Sequence, residues 1–509
     1  MSNEKNRNAI NVIASLLGYV VPLLVNLIAT PFLLHSLGND AFGIQVLVNV
    51  VIGYLAIMDM GIGLPLIKYL AEDRAKGDMK SASDLLSTTL VLYLVLGIFG
   101  MFVAFGISGY LAEHLFSIPN HLINEAKLVF QLAAVGFFAT LLMGWGRSVA
   151  MGLQRYEVAY AISALSSMLG VGIGLYLVYA GFGVVGYVFS KVLFLFIASF
   201  VYFVIYRIFI PEYKITLHFD KASIIRIRSY LVYGIIHRGV SGLAGSIDKT
   251  LLGILVSTAS VGLYSLPYML TNAINYALSY MLSFIFPASS ELYATGQYGR
   301  LRELFINSSR FLAAVSCMVF VPLFLLGKTF LFLWIGRETG EKVLTTFYLL
   351  ALAAFFQVLL TSLTNCVMIG IGRVDRFTMY TIIRVVVLSV LCILLIPMFN
   401  YEGAAWAVLI TCVVDVAYFT LFLKKYLEVG VASLLMTAYM RPLFLGGGLG
   451  LMLLPFHHLV SSWFDILVLS VVIEITLISL YYHFNVLRES EKELIRSTLA
   501  RLLILRSIG

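Results

Sequence analysis

Long apolar runs recur along almost the whole chain, and they restrict its possible folds more than any other feature of the sequence. A helix needs about 20 apolar residues to cross the ~30 Å hydrocarbon core of a bilayer, and these runs predict about fourteen such helices. Helices satisfy their own backbone polar groups inside lipid, so the expected fold is an all-α polytopic membrane protein. The predicted spans are 10–34, 42–67, 85–111, 128–151, 158–180, 184–206, 231–256, 263–287, 311–334, 343–370, 377–397, 403–423, 437–459 and 463–486.

Composition agrees with a chain that is embedded in lipid. The protein is 61% apolar and 12% charged, whereas a soluble domain is about 45–50% apolar and about 25% charged. The net charge of +8 does not indicate nucleic-acid binding, because the basic residues are scattered between the apolar runs and form no stripe. Nucleotide-binding loops, metalloprotease motifs and nucleophile elbows are absent from the sequence, which predicts neither an enzyme nor a bound cofactor.

The distribution of Lys and Arg predicts the orientation in the membrane. If the N-terminus is inside, most of the 34 basic residues lie in inside segments. Only Lys127, Arg337 and Lys342 then fall in outside loops. Since cytoplasmic loops carry the excess of basic residues, both termini are expected in the cytoplasm.

The chain also repeats itself at an offset of about 219 residues. Residues 151–156 (MGLQRY) match 369–374 (IGIGRV), and residues 183–189 (GVVGYVF) match 403–409 (GAAWAVL). Six spans per repeat put both halves in the same orientation, and parallel repeats of this kind are typical of alternating-access transporters. The predicted divisions are a six-helix lobe 1–206, a cytoplasmic linker 207–230, a second six-helix lobe 231–426, two additional transmembrane helices 437–486 and a basic cytoplasmic tail 487–509.

Charged residues inside the predicted spans are candidates for function, because each costs roughly 2.5–3.5 kcal/mol at the bilayer centre. Lys191 and Arg238 lie deep in their spans, which favours a water-filled cavity. Arg384 lies about two turns from the cytoplasmic end, where a long side chain can also snorkel. Asp248 and Lys249 are adjacent, so on a helix they are expected to point about 100° apart and not to face each other. Each is expected to need a partner on another span or water. The alternative interpretation is an ion pair whose role is to pack helices together.

The intramembrane carboxylates are candidates for ion coupling. Asp59 lies near the inner face, where contacts with loops could also account for it. Asp248 is adjacent to a lysine, and Asp415 lies near the middle of its span. A buried carboxylate can titrate near neutrality, which makes Asp415 the best candidate for a proton carrier.

Seven short motifs, in order along the chain, resemble those of one family. They are 38–44 (GNDAFGI), 53–63 (GYLAIMDMGIG), 68–72 (KYLAE), 152–155 (GLQR), 247–253 (IDKTLLG), 261–265 (VGLYS) and 286–293 (FPASSELY). As a set they resemble the bacterial polysaccharide exporters, in the pattern of the Wzx-type flippases of lipid-linked oligosaccharides. Those flippases belong to the multidrug/oligosaccharidyl-lipid/polysaccharide exporter superfamily.

The resemblance implies a V-shaped pair of six-helix lobes around a cationic cavity. It implies movement of an undecaprenyl-diphosphate-linked oligosaccharide of O-antigen, capsule or exopolysaccharide from the inner to the outer leaflet of the bacterial plasma membrane. A monomer is expected, because the site would form within one chain. The expected partners are membrane lipids, a proton or sodium ion as coupling ion, and a polysaccharide polymerase with its chain-length regulator. The residues expected to bind the diphosphate are Lys191, Arg238, Lys249 and Arg384, and those expected to couple the ion are Asp59, Asp248 and Asp415.

Two other functions are weighed against this one. A drug or organic-cation antiporter of the same superfamily would need acidic and aromatic groups in its cavity, whereas the intramembrane cations here match or outnumber the carboxylates. An O-antigen polymerase or ligase, a membrane enzyme, would need a sizeable outside loop that carries catalytic groups. The longest predicted outside loop, around 112–127, is too short for that role.

Overall fold

The computed structural model describes residues 2–209, 211–282, 284–489 and 492–493. Within these residues the regular secondary structure is helical, with no β-strand, which confirms the all-α prediction. The helices are α1 (Ser2–Leu55), α2 (Gly63–Lys76), α3 (Met79–Tyr110), α4 (Ile123–Gly152), α5 (Tyr156–Leu177), α6 (Gly183–Phe209), α7 (Lys221–Leu255), α8 (Thr258–Met281), α9 (Ile285–Ala294), α10 (Tyr298–Ile335), α11 (Arg337–Gln357), α12 (Leu363–Gly370), α13 (Val374–Phe422), α14 (Val431–Leu434), α15 (Met440–Leu453) and α16 (Trp463–His483). Most of the predicted basic tail, from residue 494 onward, lies outside the described residues.

Nine helical stretches in the described part of the chain are long and apolar enough to cross a membrane. Three of them, Val20–Asp59, Tyr156–Ile208 and Val374–Leu427, contain 40, 53 and 54 residues. At 1.5 Å per residue they measure about 60–80 Å, at least twice the ~30 Å hydrocarbon core. Each contains a left-handed residue where the sequence separates two predicted spans. These residues are Gly38 (φ 75°), Gly181 (φ 91°) and Asn400 (φ 56°). A polytopic helical membrane fold is therefore confirmed, and the number fourteen stays a prediction.

The described residues divide into two compact units. Unit 1 contains those of Met1–Ser265 and Ser389–Ala404, and unit 2 contains those of Leu266–Leu388 and Ala405–Gly509. The division groups α7 with the first six spans, whereas the sequence repeat assigns it to the second lobe. The predicted lobe boundaries stay predictions.

Glycines let α1 approach α7 and α8 closely within unit 1. A Cβ atom at Gly43 would lie 1.8 Å from the Thr258 carbonyl oxygen, and one at Gly234 would lie 2.1 Å from the Met60 carbonyl oxygen. Small residues permit such backbone contact between membrane helices. We call this contact the glycine seam; its members are Gly43, Gly53, Gly61, Gly234, Gly242 and Gly262. The seam fixes the position of α7 along α1.

The segment after α6 differs from the predicted linker. Residues 211–220 are non-helical, but α7 begins at Lys221 rather than near residue 231. Asp220 is the N-cap, and its carboxylate accepts a hydrogen bond of 2.7 Å from the Ser223 backbone N–H. A side-chain cap of this kind satisfies a backbone donor that the helix itself cannot pair. The second half of the predicted linker is therefore a polar extension of the seventh predicted span.

Candidate functional site

The first ion pair of the candidate site joins the turn after α1 to α7. The guanidinium of Arg238 donates to Asp59 across 2.9 Å, and the Tyr93 hydroxyl hydrogen-bonds to the same carboxylate. Gly234 lies one turn before Arg238 and touches Gly61, so the glycine seam brings the two charged residues together. The side chain of Arg238 is 46% exposed and that of Asp59 is 13% exposed. The arginine is therefore accessible to a ligand, whereas its carboxylate is largely buried.

The second pair lies further along α7 and corrects a prediction. Asp248 and Lys249 were expected not to face each other, but the Lys249 ammonium lies 3.3 Å from the Asp248 carboxylate. The flexible four-carbon stem of lysine lets the ammonium fold back onto its neighbour and onto the Gly245 carbonyl oxygen, 3.2 Å away. The Tyr264 hydroxyl donates to the other Asp248 oxygen across 2.6 Å. Both charged side chains are less than a tenth exposed, so this pair is closed to a large ligand.

The third pair lies in unit 2 and joins the two halves of α13. Arg384 donates through Nε to Asp415 Oδ1 across 3.1 Å, and the Tyr380 hydroxyl donates to the same oxygen across 2.6 Å. The Asp415 side chain is 0% exposed and that of Arg384 is 18% exposed. The Oδ2 atom of Asp415 is buried without a hydrogen-bond partner among the described residues. These contacts also show that the two halves of α13 lie side by side.

Lys191 on α6 differs from the other three predicted cations. Its side chain packs against Gly170 of α5, and its ammonium lies 5.4 Å from the centre of the Tyr187 ring. Within the part of the chain that the structure describes, no carboxylate oxygen lies within 4.0 Å of this ammonium. A lone cation in a membrane span is costly, and ligand binding by Lys191 stays a prediction.

The seven predicted site residues thus form pairs rather than one cationic cluster. Each of the three carboxylates holds one of the cations, and Lys191 is left over. Lys191 and the first two pairs belong to unit 1, whereas the third pair belongs to unit 2. Four cations against three carboxylates leave one net positive charge, and Lys191 carries it.

Sequence reasoning missed the tyrosine that accompanies each pair. Tyr93, Tyr264 and Tyr380 each donate a hydroxyl to the paired carboxylate, which stabilises its charged form. One of them left a signal in the sequence. Tyr380 precedes Arg384 by four residues and therefore shares its helix face. Tyr264 belongs to the motif 261–265 but has no charged neighbour in sequence, so only the fold reveals its role.

A further charged cluster connects α2 to the first turns of α7, outside the predicted spans. The Arg226 guanidinium lies 2.8 Å from Asp73 and 3.5 Å from Glu72, and it stacks on the Tyr69 ring at 4.2 Å. A hydrogen bond from Lys76, with the nearby charge of Arg226, holds the pKa of Glu72 below its usual value. The cluster gives the polar extension of α7 a fixed partner in unit 1.

Comparisons with known proteins agree with this architecture. The profile of a family described as polysaccharide biosynthesis protein matches residues 36–344. A Shigella flexneri protein assigned as an O-antigen transporter is 21% identical over 69% of this chain and 82% of its own length. AglR of Haloferax volcanii, assigned as a flippase, is 24% identical over 77% of this chain and 78% of its own. The membrane protein EpsK of Bacillus subtilis is 21% identical over 32% of each chain.

Solved structures give the same fold. The lipid II flippase MurJ in an inward closed conformation superimposes with a TM-score of 0.69 at 11% identity, over 94% of this chain and 100% of its own. An inward-facing multidrug transporter of the MATE family, in the MOP superfamily, gives 0.68 at 16% identity, over 82% and 96%. At these identities the likeness shows the fold alone, whereas the family profile covers more than half of the sequence. The chain therefore belongs to the polysaccharide biosynthesis protein family, and its fold is that of the transporters and flippases of the MOP superfamily.

Proposed function

We propose that this flippase-type transporter moves an oligosaccharide linked to undecaprenyl diphosphate from the cytoplasmic to the outer leaflet of the bacterial plasma membrane. The cycle is alternating access of two six-helix lobes in a V shape, with both termini in the cytoplasm. The protein acts as a monomer and supplies glycan to a polysaccharide polymerase and its chain-length regulator. The relatives that support this proposal are transporters rather than enzymes.

The observation that carries the proposal is the lone cation Lys191. The other charges of the candidate site cancel pair by pair, so the net charge that remains among the seven predicted site residues is positive. A diphosphate entering a medium of low dielectric constant needs such a charge, because leaving it unpaired costs far more than a hydrogen bond. Arg238 supplies a second contact, since it is nearly half exposed although paired. Lys249 and Arg384 contribute less directly, because both are buried against their carboxylates.

The same charge balance argues against the drug antiporter. A site for organic cations needs a carboxylate that is free to meet the ligand, and each of Asp59, Asp248 and Asp415 already holds a basic side chain. A cationic ligand would have to displace that side chain and leave it uncompensated, which costs about 3–5 kcal/mol for a buried pair.

Ion coupling is proposed to use these carboxylates. When the diphosphate draws Arg238 away, Asp59 loses its counter-charge and becomes able to accept a proton or bind sodium. Asp248 and Asp415 are second candidates, and Asp415 retains one oxygen without a hydrogen bond among the described residues. Exposure favours Asp59, because it is the most accessible of the three.

The experiment is complementation of a deletion strain, with lipid-linked glycan on the inner leaflet as the readout. We expect wild type and Lys191→Arg to clear the intermediate, and Lys191→Ala and Arg238→Ala to accumulate it. Lys342→Ala is the matched control, because Lys342 is an exposed lysine at a helix end that pairs with Glu338. Expression of each variant in the membrane is measured alongside.

Two outcomes would overturn the proposal. Normal surface polysaccharide in the deletion strain, together with increased sensitivity to cationic dyes, would establish the drug antiporter instead. Full clearance by a well-expressed Lys191→Ala variant would show that the lone cation does not serve the substrate.

A further inference from the structure

A ligand-sized space lies within unit 2, and Tyr380 of the third ion pair is part of its lining. It is a groove of about 720 Å³ between α12 and the two halves of α13. This volume is in the range of small-molecule sites, about 300–1,000 Å³. Its walls are mainly apolar and include Met368, Met379, Ile383, Val414, Ala417 and Leu421. Several of these side chains are exposed, so the groove is open along one side.

Cations line one end of the groove. Arg376 lies near the start of α13, and Lys424 and Lys425 lie in the π-helical turn Leu423–Leu427 that ends it. The two lysines are exposed and stand outside every ion pair among the described residues. We call Arg376, Lys424 and Lys425 the basic rim.

The basic rim has an excess of positive charge. Arg376 lies 3.5 Å from Asp375, and Arg373 stacks on the ring of Tyr426, which also lines the groove. Counting Arg373 with the rim, four cations face one carboxylate, which leaves a net charge of three. The nearby Glu428 does not reduce this excess, because it is paired with Arg302.

From this arrangement we infer that the groove is a docking site for the lipid carrier of the substrate. The diphosphate binds the basic rim, and the first isoprenoid units of the polyprenyl chain lie along the apolar walls. The inference rests on the proposed function for the identity of the lipid. It adds a binding site whose cations belong to none of the three ion pairs, at which the carrier waits before its headgroup enters the transporter.

Charge complementarity favours a diphosphate over an ordinary phospholipid. A phosphodiester headgroup such as phosphatidylglycerol carries one negative charge, whereas the rim and Arg373 together offer three positive charges in excess. Lysine and arginine bind phosphate oxygens through short charge-assisted hydrogen bonds, and several such donors are matched best by a ligand with several phosphate oxygens. The apolar walls would then bury a hydrocarbon chain that a soluble phosphate lacks.

The corresponding end of the first sequence repeat is covered by the chain itself. A pocket of about 370 Å³ at that end is lined by Arg74 and Arg155, and by Glu212 and Tyr213 of the segment after α6. The lining of the groove in the second repeat instead contains only residues of α12, α13 and the following turn.

The test uses the purified full-length protein and a photoreactive polyprenyl diphosphate, with crosslinked peptides of α13 as the readout. We expect Lys424→Ser/Lys425→Ser to lower the yield of these crosslinks at least tenfold. The matched control is Lys76→Ser/Lys80→Ser, which removes the same charge from exposed lysines of unit 1 and should leave the yield unchanged. Circular dichroism of each variant verifies that the fold is retained.

A second pair of variants tests the apolar walls. Ala417→Phe projects a ring into the groove, whereas Val413→Phe adds the same ring at a 69% exposed position one turn away that does not line it. We expect the first variant to abolish the α13 crosslinks and the second to keep them. An unchanged yield in Ala417→Phe or in the double lysine variant would overturn the inference.

Competition identifies the ligand. Unlabelled undecaprenyl diphosphate should remove the α13 crosslinks at concentrations at least tenfold below those of phosphatidylglycerol or inorganic pyrophosphate. Equal competition by phosphatidylglycerol would establish a general anionic-lipid site. Equal competition by pyrophosphate would show that the apolar groove does not contribute to binding. Either result would overturn the inference. Failure of the proposed function gives a different result. In that case the wild-type protein does not complement the deletion strain, although the α13 crosslinks are still formed.

Discussion

Removing the carboxylate of Asp415 should destabilise unit 2 far more than removing the whole charged group around it. The change is Asp415→Asn, which keeps the shape of the side chain but leaves the Arg384 guanidinium without its counter-ion. The comparison is the triple variant Tyr380→Phe/Arg384→Met/Asp415→Leu, which removes both charges and the hydroxyl that depends on them. In the triple variant no buried polar group of this cluster is left unpaired.

The geometry sets the expected magnitudes. At the 3.1 Å separation of Arg384 and Asp415, Coulomb attraction with an effective dielectric constant of about 20 amounts to about 5 kcal/mol. Arg384 is 18% exposed, so part of this loss is recovered when its long side chain reaches toward a polar region. We therefore expect Asp415→Asn to lower the free energy of unfolding by about 3 kcal/mol, within the range for broken buried pairs. The triple variant should remain within about 1 kcal/mol of wild type, since apolar replacement of a buried pair is often neutral.

Equilibrium unfolding of the purified protein in mixed detergent micelles, followed by circular dichroism, measures both free energies. The single variants Arg384→Met and Tyr380→Phe complete the cycle and separate the ion pair from the hydrogen bond. A triple variant as unstable as Asp415→Asn would refute the reasoning, because the loss could then not come from an uncompensated charge. Loss of glycan transport in a stable triple variant would instead support ion coupling through this pair.

The remaining predictions concern α7. Gly234→Ala should lower the free energy of unfolding by about 1–3 kcal/mol, because the added methyl group would lie 2.1 Å from the Met60 carbonyl oxygen. Gly239→Ala is the control on the same helix. Its methyl group would meet no atom closer than 3.9 Å, so this variant should be neutral or stabilising. Asp220→Ala should lower the free energy of unfolding by about 1 kcal/mol, because it removes the N-cap. It should also increase the rate of amide hydrogen exchange in the first turn of α7. Hydrogen bonds from the Ser223 backbone and side chain hold the pKa of Asp220 below its usual value. The cap is therefore intact at neutral pH and should be lost as the pH falls below about 4, and unchanged exchange across this range would contradict its role.

The sequence predicts the helical membrane fold well, because about 20 apolar residues in a row have few other uses. The predicted start of the seventh span differs from the start of α7, because polar residues can continue a helix beyond the membrane. Residues 221–230 are polar, so the pattern assigned them to a linker, yet they form the first turns of α7. The sequence did contain a helix-start signal in Asp220, whose carboxylate accepts from the backbone N–H three residues further on.

The ion pairs were harder to foresee than the charged residues themselves. Asp59 and Arg238 are far apart in sequence, and their contact depends on the backbone approach at Gly61 and Gly234. No periodicity within one helix contains that information. The Cβ directions of Asp248 and Lys249 differ by about 100° on the helix. That angle does not determine where the lysine ammonium lies, because its four-carbon stem is flexible.

The contact that hides the Asp59–Arg238 pair from sequence reasoning also gives it mechanical meaning. Gly61 and Gly234 touch through their backbones one turn from Arg238, so we expect movement of the turn after α1 past α7 to displace Arg238. In the proposed cycle, a ligand that draws Arg238 from Asp59 would act next to this backbone contact. The buried pair Asp248–Lys249, two to three turns along the same helix, lacks that access and serves to hold α7 against α8 through Tyr264. One helix thus carries an exposed pair suited to exchange its partner and a buried pair suited to keep it, and exposure rather than charge distinguishes the two roles.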